Sequence, residues 1–193
     1  ICNFHVGLNW SPEGRGRCHT AIIHQLLWMR TQYAIGSTDV YLQKTAATFD
    51  LSLWGYLVPL ISGAQLVLAS PDRHSDAGYL ANTIQSRGVT LTDFVPSMLS
   101  AFCASVKPEA LTSLRDVFVI GEALSERAVQ AFAAVCDAKL HNLYGPTEAT
   151  VSITHQTAND RELGNVPIGV PQWNSQVFVL DAGLCLVPVG VAG

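Results

Sequence analysis

An α/β fold is predicted for this 193-residue chain: a largely parallel sheet flanked by helices, with the start of a smaller β subdomain at the C-terminal end. Three observations predict it. Short apolar runs of strand length alternate with longer segments of helical periodicity. The connections are short, as in repeated strand–helix–strand units that build a parallel sheet covered on both faces. Polar residues that suit a binding site, namely Asp50, Asp93, Gly121-Glu122 and 144–148, each follow or close a predicted strand. Open parallel sheets place their ligands at that end.

The elements follow in order. Residues 21–30 carry Ala21, Ile22, Leu26 and Met29 at helical spacing after Thr20, a possible cap. Residues 40–45 read as a short strand. Residues 49–61 read as a buried helix that Pro59 and Gly63 help to close. Residues 64–69 form a continuous apolar run of strand length. Asp76 caps a helix bearing Leu80, Ala81 and Ile84, which Gly88 closes. Residues 89–95 read as a strand, 96–104 as a helix and 117–120 as a buried strand. Ser125 caps a helix with Ala128, Val129, Phe132, Val135 and Cys136 on one face. Residues 139–143 return as a strand. Residues 151–155 and 176–180 are expected to form the second, smaller sheet.

Composition excludes several classes. Net charge is −4 with the signs interspersed, and no basic run exceeds the local pair Arg15 and Arg17. A nucleic-acid face held by phosphate neutralisation needs more. No apolar run approaches the roughly 20 residues of a membrane-spanning helix, and no signal-peptide pattern opens the chain. The five cysteines (Cys2, Cys18, Cys103, Cys136, Cys185) are odd in number, scattered and without a CxxC pair. They read as reduced thiols of a cytoplasmic protein. The six histidines also lack metal-ligand spacing. Charged residues make up only 13%, which fits either an apolar domain or a surface normally covered by further chain. Both ends read abruptly, and the chain is expected to be part of a longer domain.

Tyr144-Gly145-Pro146-Thr147-Glu148 is the segment richest in chemistry. Gly-Pro makes a tight, rigid turn at a strand end. The ring before it offers a flat face to a planar ligand, and the hydroxyl and carboxylate after it suit a phosphate oxygen and a magnesium ion. Taken alone, these residues suit an ordinary surface turn with a polar edge better.

The wider context favours the first reading. Asn142-Leu143-Tyr144-Gly145-Pro146-Thr147-Glu148 resembles the NxYGPTE signature of the adenylation domains of nonribosomal peptide synthetases. Phe49-Asp50-Leu51-Ser52 resembles their FDxS segment. Phe94-Val95-Pro96-Ser97-Met98-Leu99 and Gly121-Glu122-Ala123-Leu124 are similar to their FVPSML and GEAL stretches. Val166-Pro167-Ile168-Gly169, Val179-Leu180-Asp181 and Val187-Pro188-Val189-Gly190 follow in the expected order. The resemblance runs from about Leu26 to the C-terminal end. It divides the chain into a degenerate phosphate-loop region (1–18), an α/β substrate- and adenine-binding lobe (19–155) and the start of a β subdomain (156–193).

The resemblance implies an ATP-dependent ligase: an amino acid becomes an aminoacyl adenylate and then passes to the phosphopantetheine thiol of a carrier domain. The implied cofactors are ATP and Mg2+. The implied partners are the amino-acid substrate, the carrier and condensation domains of the same synthetase, and the remaining parts of the adenylation domain. By resemblance Tyr144 stacks on adenine, while Asn142, Gly121, Glu122 and Gly145 line the nucleotide pocket. Thr147 contacts phosphate, Glu148 holds magnesium, and Asp50 pairs with the substrate α-ammonium. The side-chain pocket is implied to be Asp50, Leu51, Trp54, Asp93, Phe118, Ile120, Leu143, Val151 and Ser152. Trp54, Phe118 and Ile120 make it shallow, and Asp93 and Ser152 are its polar groups. That set suits a small polar substrate, serine-like or a short diamino acid; alternatively Asp93 is salt-bridged within the protein.

One stretch departs from the family. Where relatives have TSGSTGxPKG, this chain has His5-Val6-Gly7-Leu8-Asn9-Trp10-Ser11-Pro12-Glu13-Gly14. Only Gly7, Pro12 and Gly14 remain of the pattern. Trp10 does not permit close backbone approach to phosphate, and Glu13 repels it. Either the loop is degenerate or the first 18 or so residues are foreign to the domain. The segments expected downstream, including a ribose-binding aspartate and a catalytic lysine, are also absent from these 193 residues. The chain alone is therefore expected not to adenylate efficiently, and the competing reading is a non-catalytic adenylation-like domain retained for binding or architecture.

Overall fold

The computed structural model describes residues 2–6, 12–16, 18–158 and 166–192. The strands β1 (Cys2–Val6) and β2 (Pro12–Gly16) pair antiparallel, as a sheet of their own. Residues 7–11 between them, with the expectations placed on Gly7 and Trp10, lie outside the described residues.

The main sheet holds seven strands. In chain order the elements are α1 (His19–Gln32), β3 (Val40–Gln43), α2 (Ser52–Ser62), β4 (Gln65–Leu68), α3 (Ala77–Arg87), β5 (Leu91–Phe94), α4 (Pro96–Cys103), β6 (Asp116–Val119), α5 (Glu126–Ala133), β7 (Lys139–Tyr144), β8 (Thr154–Thr157) and β9 (Val170–Pro171). The spatial order is β4-β3-β5-β6-β7-β8-β9. The first five of these pair in parallel, whereas β8 and β9 add antiparallel. The chain moves from β3 outward to β4, then crosses back to β5 and continues the other way. This reversal makes a topological switch point between β3 and β5, the place where doubly wound sheets bind ligands beyond the strand ends.

Alternation along each strand feeds two cores, because successive side chains point to opposite faces. Tyr41, Leu91, Phe118, Ile120 and Leu143 join α1 and α2 through Trp28, Met29, Trp54 and Val58. Leu42, Phe94, Val117, Val119 and Leu140 join α3, α4 and α5 through Leu80, Ile84, Leu99 and Phe132. Both faces of the central strands are thus covered, which is why they read as continuous apolar runs.

Local signals explain most boundaries. The Asp76 carboxylate accepts from the Tyr79 amide at 2.9 Å, and Gly88 closes α3 with φ +61°. Ser125 caps α5 by accepting from the Ala128 amide at 3.2 Å. Three expectations need correction. Thr20 does not cap α1: Cys18 holds that place through its carbonyl, and no side chain caps the helix. The helix expected from residue 49 begins at Ser52, because residues 46–52 turn first through bonds such as Phe49 N–H to the Ala46 carbonyl. Gly63 ends α2, and Pro59 lies inside it.

The second small sheet is also corrected. The strand expected at 151–155 is displaced to Thr154–Thr157, where it pairs with β7 and enlarges the main sheet; it also runs across residue 155. The strand expected at 176–180 is reduced, among the described residues, to one bridge between Leu180 and Leu186. The cause lies at Thr150 and Val151, whose φ of 66° and 70° turns the chain out of strand geometry before β8 starts.

Gly169 fixes the approach of β9 to β8. Its φ is +81°, and a Cβ there would run into the His155 carbonyl oxygen. A Gly169→Ala variant is expected to lose about 1–3 kcal/mol through overpacking and backbone strain. Urea unfolding is the measurement: the midpoint falls while the slope stays unchanged.

A charged network ties the opposite, amino-terminal end of the sheet. Arg115 reaches Asp116 at 2.7 Å and Asp39 at 3.3 Å, and Asp116 meets His141 Nε2 at 2.8 Å. Burial raises the Asp116 carboxyl, but hydrogen bonds from His141 and Arg115 outweigh it and hold the group below its ordinary range. Nearby, burial and then the neighbouring His141 lower the pKa of His155 from 6.5. The folded protein therefore takes up its proton on His155 later than the unfolded chain does. The stability due to this is complete above pH 6.5 and is lost as pH falls from there toward the folded pKa. Thermal melting is expected to show stability falling as pH drops below 6.5, a decline that His155→Gln flattens. Among the described residues no helix is long and apolar enough to cross a membrane.

Candidate functional site

A cavity of about 480 Å³ opens beyond the carboxyl ends of the parallel strands, at the switch point. That volume lies in the ordinary range for small-molecule sites. Its walls come chiefly from Lys44 and Thr45 after β3, Phe49 to Leu51 before α2, Val95 and Met98 after β5, Ile120 to Glu122 after β6, and Gly145 to Thr147 with Val151 after β7, and His74 adds to them. Each segment leaves a sheet edge or enters a helix, so a rigid scaffold holds loops of different chemistry around one space.

The turn after β7 is tightly built. Pro146 leads into a single 3-10 turn, Thr147–Ala149, and the chain then passes through two consecutive left-handed residues, Thr150 and Val151. A β-branched residue in that region is strained. The strain is offset by packing: Val151 is buried, and the Ile153 amide returns to the Tyr144 carbonyl at 2.8 Å. Ser152 is clamped by Gln25 and Gln172, whose Nε2 atoms donate to its Oγ at 2.7 and 2.6 Å. The loop carrying Gly145, Thr147 and Val151 is thereby held against the cavity.

The opposite wall contains a buried charge cluster. Asp93 is fully buried; its Oδ1 accepts from the Tyr41 hydroxyl at 3.2 Å and its Oδ2 from the Thr45 hydroxyl at 2.6 Å. Lys44 Nζ lies 3.9 Å from Asp93 Oδ2, 4.0 Å from the centre of the Phe94 ring and 3.8 Å from Met98 Sδ. Burial lowers the Lys44 pKa more than Asp93 restores it, and burial with the Asp93 charge pushes the Tyr41 phenol well up. Glu122 lines the cavity and caps α4, accepting from the Ser97 amide and hydroxyl, each at 2.9 Å.

The structure brings Asp50, Leu51, Ile120, Gly121, Glu122, Gly145, Thr147 and Val151 together on this cavity. Other expected site residues lie elsewhere. Trp54, Phe118 and Leu143 are buried in the core. Asn142 donates through Nδ2 to the Pro167 carbonyl at 2.9 Å, and Ser152 has its two glutamines. Asp93 sits behind Thr45. Tyr144 and Glu148 are exposed on either side of the Gly-Pro turn, Tyr144 at 51%.

Lys44, Thr45, His74 and Met98 also line the cavity and were not foreseen. A signal for the first two existed. Functional groups were sought just after strands, but the expected strand ran through residue 45; β3 ends at Gln43, which makes Lys44 and Thr45 the first residues beyond it. Another hollow, of about 590 Å³, lies between the end of α5 and β7 and gathers none of the expected residues.

Together these features suit a ligand with a planar part, anionic groups near backbone turns, and a cationic group near Asp50. Comparisons with known proteins give the family. Residues 17–193 match the family model of AMP-binding enzymes. The chain is 44% identical over 198 residues to vanchrobactin synthetase VabF of Vibrio anguillarum, covering 97% of this chain and 7% of that protein. It is 42% identical to enterobactin synthase component F of Escherichia coli (strain K12), covering 98% of this chain and 15% of the relative. The fold superposes with TM-score 0.85 and 25% identity on a four-domain nonribosomal peptide synthetase bound to AMP and glycine, over 97% of this chain and 14% of that one. It also superposes with TM-score 0.85 and 23% identity on the Vibrio cholerae adenylation domain AlmE in complex with glycyl-adenosine-5'-phosphate, over 96% and 35%. The chain thus spans a small part of the proteins it matches, and over residues 17–193 it belongs to the AMP-binding enzyme family, in the branch formed by the adenylation domains of nonribosomal peptide synthetases.

Proposed function

We propose that this chain forms the amino-acid- and adenine-facing core of a domain that converts an amino acid and ATP into an aminoacyl adenylate and pyrophosphate. The observation that carries this reading is the cavity at the switch point, where Asp50 and the Gly145–Pro146–Thr147 turn meet. A substrate carboxylate oxygen bonds to the α-phosphorus as the bond to the pyrophosphate leaving group breaks. Such a reaction needs alignment and charge stabilisation more than a protein nucleophile. Asp50 holds the α-ammonium, Gly121 and Gly145 admit the nucleotide close to the backbone, and Thr147 meets the α-phosphate. Tyr144 offers its exposed ring to the adenine.

Among the described residues no cluster of three or more potential metal ligands exists. Glu148 is exposed on the 3-10 turn, which fits Mg2+ bound by one carboxylate together with substrate phosphates rather than by a protein cage. When bound there, the ion neutralises phosphate charge. The acyl group then passes to the phosphopantetheine thiol of a carrier domain, and condensation and carrier domains of one cytoplasmic synthetase are the partners. Amino-acid-dependent exchange of labelled pyrophosphate into ATP by the full-length protein tests the reading; absence of exchange with every amino acid overturns it.

A non-catalytic, adenylation-like domain is the second reading. It is favoured by the divergent stretch His5 to Gly14, where Glu13 stands at the lysine position of the glycine-rich phosphate loop. Equilibrium binding of ATP with magnesium to the full-length protein separates the two: ATP binding supports catalysis, and its loss supports the architectural role.

A further inference from the structure

We propose that Lys44 and Thr45, positioned by buried Asp93, read the substrate side chain and select a short amino acid bearing a hydroxyl over one bearing an amine. This inference rests on the adenylation reading above and narrows it. Asp93 does not reach the cavity, since both its oxygens are taken by the Tyr41 and Thr45 hydroxyls. The residues that do line the wall are Lys44, whose side chain is 2% exposed, and Thr45.

Their hydrogen-bonding capacity is defined by what they already do. Thr45 donates its proton to Asp93, so its oxygen keeps only lone pairs to offer. Its backbone is fixed as well: the Gln43 side chain accepts from the Thr45 amide at 3.1 Å and donates to the Thr45 carbonyl at 2.9 Å. Lys44 carries three N–H donors. Among the described residues its one hydrogen-bond acceptor is the Met98 thioether, and Asp93 at 3.9 Å is an ion-pair partner beyond hydrogen-bond length. A buried ammonium with unused donors beside a cavity calls for an oxygen from the ligand.

A hydroxyl satisfies both with a single atom, in less space than a carboxamide: it accepts from Lys44 Nζ and donates to Thr45 Oγ1. An ammonium cannot accept and faces the Lys44 charge in a dry wall. A methyl leaves both protein groups unpaired. A carboxylate accepts from Lys44 but cannot donate to Thr45, and it adds charge beside Asp50. Trp54 and Phe118 fill the core beneath, so the side chain is short.

The test is pyrophosphate exchange by the full-length protein with serine, alanine and 2,3-diaminopropionate. Serine is expected to exceed the other two in kcat/KM by about 10–100-fold, the span of one or two hydrogen bonds to charged or buried groups. Lys44→Met with Asp93→Asn, which keeps shape and removes both charges, is expected to shrink the serine-to-alanine ratio by about tenfold and to raise diaminopropionate relative to serine. Thr45→Val is expected to shrink the serine-to-alanine ratio alone. Highest exchange with alanine or diaminopropionate overturns the inference and leaves adenylation standing, as does a variant that lowers all three substrates equally. Exchange with no amino acid removes the adenylation reading and this inference with it.

Discussion

Asp93→Ala is expected to destabilise the fold by about 3–5 kcal/mol, the scale for leaving a buried charge without its partner. Asp93 is fully buried, and Lys44 is nearly so, its other partners among the described residues being the Met98 thioether and the Phe94 ring. Removing the carboxylate strands the ammonium and also leaves the Tyr41 hydroxyl without its acceptor. Urea unfolding of the single variants and of the double variant Asp93→Ala, Lys44→Met checks this. The double variant is expected to be more stable than Asp93→Ala alone, because removing both charges eliminates the stranded one. Strictly additive losses would mean that the two groups do not interact. The remaining deficit reports the Tyr41 and Thr45 hydroxyls.

Gly145→Ala is expected to abolish nucleotide binding while leaving most of the fold intact. A Cβ at Gly145 would stand 2.5 Å from Ser152 Cα and 2.9 Å from its carbonyl carbon, both backbone atoms. Ser152 has no freedom to retreat, since Gln25 and Gln172 clamp its side chain from two other elements. The loop holding Thr147 and Val151 must therefore open, at about 1–3 kcal/mol or more for overpacking. Isothermal titration with AMP and thermal melting in parallel give the two readouts. Wild-type affinity in a folded variant would show that the close approach is dispensable.

Much of the scaffold was legible in the sequence for local reasons. Apolar runs such as 117–120 have no soluble alternative to a covered strand, while Asp76 and Ser125 cap with their own side chains and Gly88 and Gly63 turn through their own backbones. Asp50, Gly121, Gly145 and Thr147 were legible as candidates because strand ends carry ligands and because their motifs occur in a fixed order, and all four line the cavity. What failed was whatever depends on distant partners. Residues 151–155 have strand composition, yet two left-handed residues delay the strand, and β8 joins β7 instead of a separate sheet.

The lining of the pocket shows the same division. Asp93 and Ser152 were expected to face the substrate, and both are buried polar groups bonded to residues far away in sequence: Asp93 to Tyr41 and Thr45, Ser152 to Gln25 and Gln172. No local pattern announces such bonds.

The sequence by itself determined the class of fold, the family and the set of strand ends that build the site, because strand burial, capping and tight turns are written within a few residues of one another. Only the tertiary structure decided which of those side chains meet the cavity. It placed the β3–β5 switch point beside Lys44 and Thr45 and turned Asp93 into their support, since a charge removed from water must find its partner wherever the fold brings one.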